Sequence, residues 1–221
     1  TEEESVQFTI EYEGVVDERI CYLDVPEELL IEQEKFMGSF NIGKRYAYQT
    51  KEYTLLTPES YWYPRPGVCY SDESPDWQQS YFTNFQMSVT PNEGLTVISQ
   101  GERWVEEDSI TTTFQPEYPL QSMSLLIGPY KNFSVKVYDT EYSVWYIDGH
   151  DFFSQELDLI ADTIPSIIDD VRFEYEEYVG MLYPFNRFSI VEVPAHFSSY
   201  SRTWTQAQEK MQPEMVLVPE K

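Results

Sequence analysis

The segment "YVGMLYPFNRFSIVEVP", residues 178–194, is the place where a predicted helix changes into a predicted strand. Gly180 suits the left-handed position that ends many helices. Tyr183 and Pro184 form a predicted turn, and the apolar run from Phe188 to Val193 predicts a buried strand that closes on Pro194. The order of helix, glycine, turn and strand is therefore the feature around which the remaining sequence is interpreted.

An amphipathic helix is predicted before this segment, over residues 154–179. Apolar residues recur there at steps of three and four, which places them on one face of a helix. Ser154 is the expected N-cap. Pro165 lies inside the apolar stripe, and because the stripe keeps its phase across this residue, we expect one bent helix with a kink at Pro165.

Most of the remaining chain has the alternation and turn spacing of β-strands. The segment at 26–38 is an exception and predicts a short helix. The proline-broken, aromatic-rich segment at 45–67 predicts an edge or a covering loop. Strands are expected in the segments 5–14, 19–25, 85–91, 95–101, 103–107, 109–116, 120–128, 133–148 and 214–220, with those at 85–91 and 95–101 paired through a turn from Asn92 to Gly94. The sequence thus predicts an α+β, mainly β protein built on an antiparallel sandwich or saddle-shaped sheet.

The composition excludes several classes of partner. The chain has 39 acidic and 14 basic residues, a net charge of -25, and no local basic stripe. Nucleic acid and anionic membrane surfaces are therefore unsuitable partners. No run reaches the roughly 18 apolar residues of a membrane span, so no membrane span is expected in this segment. Cys21 and Cys69 are compatible either with one disulfide or with two buried thiols.

Catalytic motifs are not found. His150 and His196 are 46 positions apart, and a zinc site needs several such ligands at one point. His150 is more typical of a turn residue than of a metal ligand. His196 is more typical of an ordinary loop contact than of a metal ligand. Nucleophile elbows and glycine-rich phosphate loops are also missing. We therefore expect no catalytic or metal-binding residue in this chain.

The order of elements resembles the aminopeptidase N-like zinc metallopeptidases, the gluzincin group. In that family a helix ends in a glycine and a Tyr-Pro turn and is followed by a strand that ends in Val-Pro. Here the equivalents are Val179-Gly180, Tyr183-Pro184 and "FSIVEVP". The segments "FTIEYEG", "WYPRPG" and "FQMSVTPNEGLTVISQG" are similar to the family's β-domain, so the resemblance covers most of the 221 residues.

The resemblance implies two domains and a weak substrate site. Residues 1–129 would form the saddle or sandwich domain, without its first strands. Residues 130–221 would begin a thermolysin-like peptidase domain with a hairpin, a long helix and a strand. The family's Gly-x-Met-Glu-Asn substrate loop would fall at Met211 to Met215. Gln212 replaces the glutamate that holds a peptide amine. Glu214 and Glu209 are candidate substitutes for it, and the simpler interpretation is that the amine-binding function has been lost.

The zinc motif of the family would lie beyond Lys221, so the chain is expected to be a non-catalytic fragment of a longer protein. That protein would be either a zinc aminopeptidase or a divergent relative, such as the extracytoplasmic peptidase-like domain of a bacterial membrane permease. The expected partners are a peptide or protein and the rest of that protein. The alternative is a non-catalytic extracytoplasmic interaction or ligand-binding β-domain that binds its partner through the aromatic residues Trp62, Tyr63 and Trp77. The same aromatic cluster is also compatible with a loop packed on the sheet.

We expect the purified chain to contain no stoichiometric zinc, because too few donor side chains converge on any one place. Metal analysis by mass spectrometry after dialysis measures this directly. One tightly bound zinc ion per chain would contradict the prediction.

Overall fold

The computed structural model describes residues 7–16, 47–60, 62–64, 82–150, 159–193, 210–212 and 214–219. Within these ranges the chain forms twelve strands, one α-helix and a short 3-10 helix at Pro58–Ser60. The predicted α+β, mainly β class is confirmed.

Three sheets organise the described residues. The four-stranded sheet is antiparallel and has the order β1 (Ala47–Gln49), β2 (Thr54–Leu56), β7 (Leu125–Gly128) and β4 (Thr96–Ile98). The three-stranded sheet is antiparallel, with the order β3 (Met87–Val89), β6 (Thr112–Gln115) and β5 (Glu102–Val105). The five-stranded sheet has the order β11 (Lys210–Gln212), β12 (Met215–Pro219), β10 (Arg187–Val193), β9 (Thr140–Ile147) and β8 (Tyr130–Val137). It is mixed, because β10 runs parallel to both β9 and β12.

The four-stranded sheet is a middle layer with a core on each face. On β4, Val97 contributes to a core with Phe114 of the three-stranded sheet. The next residue, Ile98, contributes to a core with Val191 and Leu217 of the five-stranded sheet. Successive side chains of a strand point to opposite faces, so a run of consecutive apolar residues is needed where both faces are buried.

The expected pairing of the strands around Asn92 is wrong. Both strands form, but β3 pairs with β6 and β4 pairs with β7, in different sheets. The Asn92 side chain donates to the Lys51 carbonyl at 3.0 Å, which ties the turn to the four-stranded sheet. The buried pair Val97 and Ile98 requires a layer that is covered on both faces, and a simple hairpin does not provide one.

The helix, α1 (Ile164–Val179), is shorter than expected. It ends at Gly180, which has φ 73° as predicted. The expected kink at Pro165 is wrong, because Pro165 lies in the first turn, where a missing backbone N–H costs no hydrogen bond. Thr163 is the N-cap, and residues 160–163 form turns. Ser154 lies outside the described residues.

The structure differs from two predictions for the N-terminal part of the chain. Residues 7–16 form no strand, and the segment is held instead by side-chain bonds such as that from Tyr12 Oη to the Trp62 carbonyl at 2.9 Å. The segment 45–67 contributes β1 at a sheet edge, as expected, but also β2 inside the same sheet. The expected strand at 19–25 and helix at 26–38 lie outside the described residues.

The predicted domain boundary at 129 falls between β7 and β8, but one core crosses it. Leu55 and Leu126 pack in the same buried cluster as Val191 and Leu217. The division into domains 1–129 and 130–221 stays a prediction, and the shared core leads us to expect that the two parts unfold together.

The variant Leu217→Ala should therefore destabilise the whole chain by about 2–5 kcal/mol, because it opens a cavity in the shared core. Urea unfolding followed by tryptophan fluorescence and circular dichroism should show one coincident, shifted transition. Ile190→Ala, on the other face of the same sheet and partly exposed, is the matched control and should shift it less. Two separate transitions, only one of them shifted, would contradict the prediction.

Candidate functional site

The candidate site is the hairpin of β11 and β12, which contains the three residues predicted from the substrate-loop resemblance. Met211 and Gln212 lie on β11 and pair with Val216 and Met215 of β12. Among the described strands, β11 pairs only with β12, so it is an edge of the five-stranded sheet. Glu214 lies in the turn between the two strands. The hairpin therefore brings the predicted residues together at a sheet edge.

Glu214 anchors this hairpin to the rest of the molecule. Its backbone is left-handed, with φ 64°, and the residue is only 5% exposed. Its Oε2 accepts a hydrogen bond from the Gly101 backbone N–H at 2.6 Å. Its carbonyl accepts from the Ser189 N–H at 2.8 Å. Glu214 thus fixes the turn both to β10 and to the segment that links β4 with β5.

The charge of Glu214 is held in an environment that disfavours it. Burial raises the pKa of the Glu214 carboxyl above its ordinary value, and the nearby carboxylate of Glu117 also raises it. The Gly101 N–H and the Arg187 guanidinium lower the pKa, but less than burial raises it. The Nε of Arg187 is itself buried and has no hydrogen-bond partner in the described part of the chain.

The segment that contains Tyr183 and Pro184 connects the helix to β10. The Tyr183 hydroxyl donates to the Arg187 carbonyl at 2.8 Å, and burial raises the pKa of the Tyr183 phenol. The Tyr183 backbone N–H donates to the Glu176 carboxylate at 2.8 Å, which also pairs with Arg172 at 2.7 Å. Both bonds lower the pKa of Glu176, the bond from Tyr183 more than the bond from Arg172. The structure assigns no turn at Tyr183 and Pro184, where one was predicted, but their segment is tied to both the helix and β10.

Trp62, one of the predicted binding aromatics, packs against a different core from the hairpin residues Met215 and Leu217. Trp62 and Tyr63 are half-buried, with ring centroids 4.8 Å apart in an edge-on arrangement. Trp62 packs against the core between the three-stranded and four-stranded sheets, and Tyr63 contacts Phe85. Trp77 lies outside the described residues.

The described residues do not fit a zinc ion. No group of three or more His, Cys, Asp or Glu side chains converges anywhere in the described ranges. His150 Nδ1 lies 2.6 Å from Glu192 Oε1, and Glu192 Oε2 accepts from the Ile147 N–H at 2.7 Å. Glu192 therefore holds the end of β9 next to β10. His196, Cys21 and Cys69 lie outside the described residues.

Two features of the site were missed in the sequence. The strand β11 lacks a period-two apolar pattern, because an edge strand of three residues carries too short a signal. The role of Gly101 is visible only as an isolated glycine after a strand, which indicates a turn or a close backbone approach. Nothing in the local sequence relates Gly101 to Glu214, which is 113 positions away.

No protein-family model matches the chain, and no curated protein matches it. Among solved structures, the chain is similar to an M1 zinc metallopeptidase from Deinococcus radiodurans, with 15% sequence identity and a TM-score of 0.45. The similarity covers 63% of this chain and 31% of that one, so the chain spans about a third of its length. No helix within the described ranges is long and apolar enough to cross a bilayer.

The variant Glu214→Gln should gain stability relative to the natural chain as the pH rises. The folded-state pKa of Glu214 is raised, so the ionised carboxylate penalises folding above that pKa, and the penalty disappears as the pH falls below the unfolded value. Glutamine keeps an acceptor for the Gly101 N–H without the buried charge. Urea unfolding at about pH 4 and about pH 8 measures the stability difference at each pH.

The control for this comparison is Glu102→Gln, which removes an exposed carboxylate beside Gly101. We expect a smaller dependence on pH for this variant. If Glu214→Gln were less stable relative to the natural chain at the high pH than at the low pH, the assigned burial of the Glu214 charge would be contradicted.

Proposed function

We propose that the chain is a non-catalytic part of a longer, aminopeptidase-like protein and that it binds an extended peptide along β11. The observation that carries this proposal is the position of β11 at the edge of the five-stranded sheet, next to an anchored turn. An edge strand has backbone N–H and C=O groups on one side that can pair with another extended chain.

The anchoring of the hairpin supports a binding role, because an edge must be held in place before it can act as a template. The hydrogen bonds of Glu214 to Gly101 and Ser189 hold the turn from two sides. The strand β12 is itself paired in parallel with β10 over five residues. A pre-ordered edge avoids part of the entropy cost of ordering when a peptide binds.

The contacts of Glu214 indicate how the peptide would be recognised. Its carboxylate is buried and bonded to Gly101, so it is turned inward rather than presented to a ligand. Gln212 has no charge with which to hold an amine. We therefore propose that backbone pairing supplies the affinity and that the charge of a peptide N-terminus adds little.

The aromatic residues are a weaker candidate surface. Trp62 and Tyr63 pack against the second core and one another, which favours the packed-loop interpretation over a binding face. We also propose, from the sequence resemblance, that the longer protein is either a zinc aminopeptidase or a permease with an extracytoplasmic peptidase-like domain. Any zinc in that protein would need ligands other than the residues described here.

The test uses a fluorescein-labelled peptide of about eight residues with alternating Val and Thr, a sequence that favours strands. Binding to the intact chain is followed by fluorescence polarisation. A matched peptide carries N-methyl groups on alternate amides, which remove the donors along one side. We expect the methylated peptide to bind about tenfold or more weakly, and an acetylated N-terminus to leave the affinity nearly unchanged.

Proline substitution tests the edge from the protein side. Successive residues of an antiparallel strand direct their backbone groups alternately to the two sides, so Met211→Pro and Gln212→Pro remove N–H groups on opposite sides of β11. One variant should lose stability, and the other should remain folded and lose peptide binding. If the folded variant binds normally, or if the methylated peptide binds as well as the unmodified one, the edge is not the binding site.

A further inference from the structure

Helix α1 exposes most of its apolar residues. Ile167, Val171, Tyr175 and Tyr178 follow one another at steps of four, four and three and form what we call the α1 stripe. They are 52%, 49%, 68% and 90% exposed. No residue of α1 is fully buried. The sequence predicts an apolar stripe on this helix, and the structure places much of it at the surface.

A polar side of the helix makes the contact with β8 and β9 instead. Arg172 Nη1 donates to Thr140 Oγ1 at 3.2 Å, and its guanidinium lies 5.9 Å from the centre of the Tyr138 ring. The Tyr138 hydroxyl donates to Asp169 at 3.3 Å. These contacts fix the rotation of the helix about its axis, so the exposure of the α1 stripe follows from the way the helix is tethered.

An acidic row runs along the helix directly beside the α1 stripe. Asp170, Glu174 and Glu177 are all exposed and follow one another at steps of four and three. The last turn of the helix contains no basic residue. The C-terminal end of a helix carries a partial negative charge, so the carboxylate of Glu177, in the last turn, adds to a charge of the same sign. The acidic row therefore favours binding of a positively charged partner.

We propose that the α1 stripe docks a basic amphipathic helix of a partner protein. The apolar face of such a helix would cover the stripe, and its Lys or Arg residues would lie along the acidic row. Two amphipathic helices commonly pair in this way, with apolar residues at the seam and opposite charges beside it.

The charges argue against other occupants. A second copy would bring an identical acidic row and a net charge of -25 to the same interface, and an anionic lipid surface would repel the row in the same way. Like charges placed opposite one another weaken association. The binding surface is also independent of the peptide edge, because α1 contacts β8 at one edge of the five-stranded sheet and β11 lies at the other.

The experiment measures binding of synthetic helices to the intact chain by fluorescence polarisation. The probe is a peptide of Leu and Lys at helical spacing, about five turns long. One comparison peptide has Glu in place of Lys, and another has the same Leu and Lys content in alternating order. We expect only the basic helix to bind tightly and its affinity to fall at high salt.

Matched variants separate the α1 stripe from the overall acidity of the chain. Val171→Ala combined with Tyr178→Ala should weaken binding about tenfold, whereas Val105→Ala, a valine 52% exposed on β5, should not change it. Glu174→Gln with Glu177→Gln should weaken binding more than Glu102→Gln with Glu107→Gln, which removes the same charge from exposed positions elsewhere. Alanine favours helices, so circular dichroism should show that the Val171→Ala and Tyr178→Ala variant remains folded.

Three results would overturn the proposal. Equal losses from the two pairs of glutamine variants would mean that binding follows net charge alone. Sedimentation equilibrium that shows dimers lost in the Val171 and Tyr178 variant would assign the stripe to a second copy. Flotation of the natural chain with anionic vesicles, abolished by the same variant, would assign the stripe to a lipid surface.

Discussion

The hydrogen bond from the Gly101 N–H to the Glu214 carboxylate fixes the C-terminal hairpin to the segment between β4 and β5. Gly101 has φ 98°, and a Cβ added there would collide with the backbone of Gln115 and Pro116. The backbone at this point can therefore lie against Gln115 and Pro116, with its N–H on Glu214, only if residue 101 is glycine. Loss of the bond would leave a buried carboxylate unpaired, which costs more than the bond itself contributes. One local contact thus joins the C-terminal hairpin to strands more than a hundred residues earlier.

The middle sheet packs against residues from both predicted parts of the chain. Its strands carry consecutive buried residues, such as Leu125 and Leu126, that face different cores. Neither core is complete without the middle sheet, so each outer sheet depends on it. Burial of apolar area on both faces is the largest favourable contribution to such an arrangement. The alternation typical of a sheet with one wet face is found instead in outer strands such as β3 and β8.

The helix shows how a few polar contacts can override an apolar pattern. The Arg172–Glu176 pair and the Tyr183 N–H tie the end of α1 to the segment before β10. An exposed ion pair alone contributes little, but here it is combined with hydrogen bonds to Thr140 and Tyr183. The same contacts that hold the segment of Tyr183 and Pro184 therefore leave the apolar side of α1 available. The two proposed binding surfaces follow from this geometry and lie at opposite edges of one sheet.

The sequence by itself determined the class of the protein, most strand positions after residue 85, the helix end at Gly180 and the strand that ends at Val193. These features depend on local periodicity and on glycine and proline, whose backbone preferences act over a few residues. Tertiary structure alone decided that β3 and β4 belong to different sheets, that α1 turns its apolar side outward, and that Glu214 is buried against Gly101. A periodic pattern states which residues share a face, but not which element, if any, covers that face. That choice depends on contacts between residues far apart in the chain, which no local pattern records.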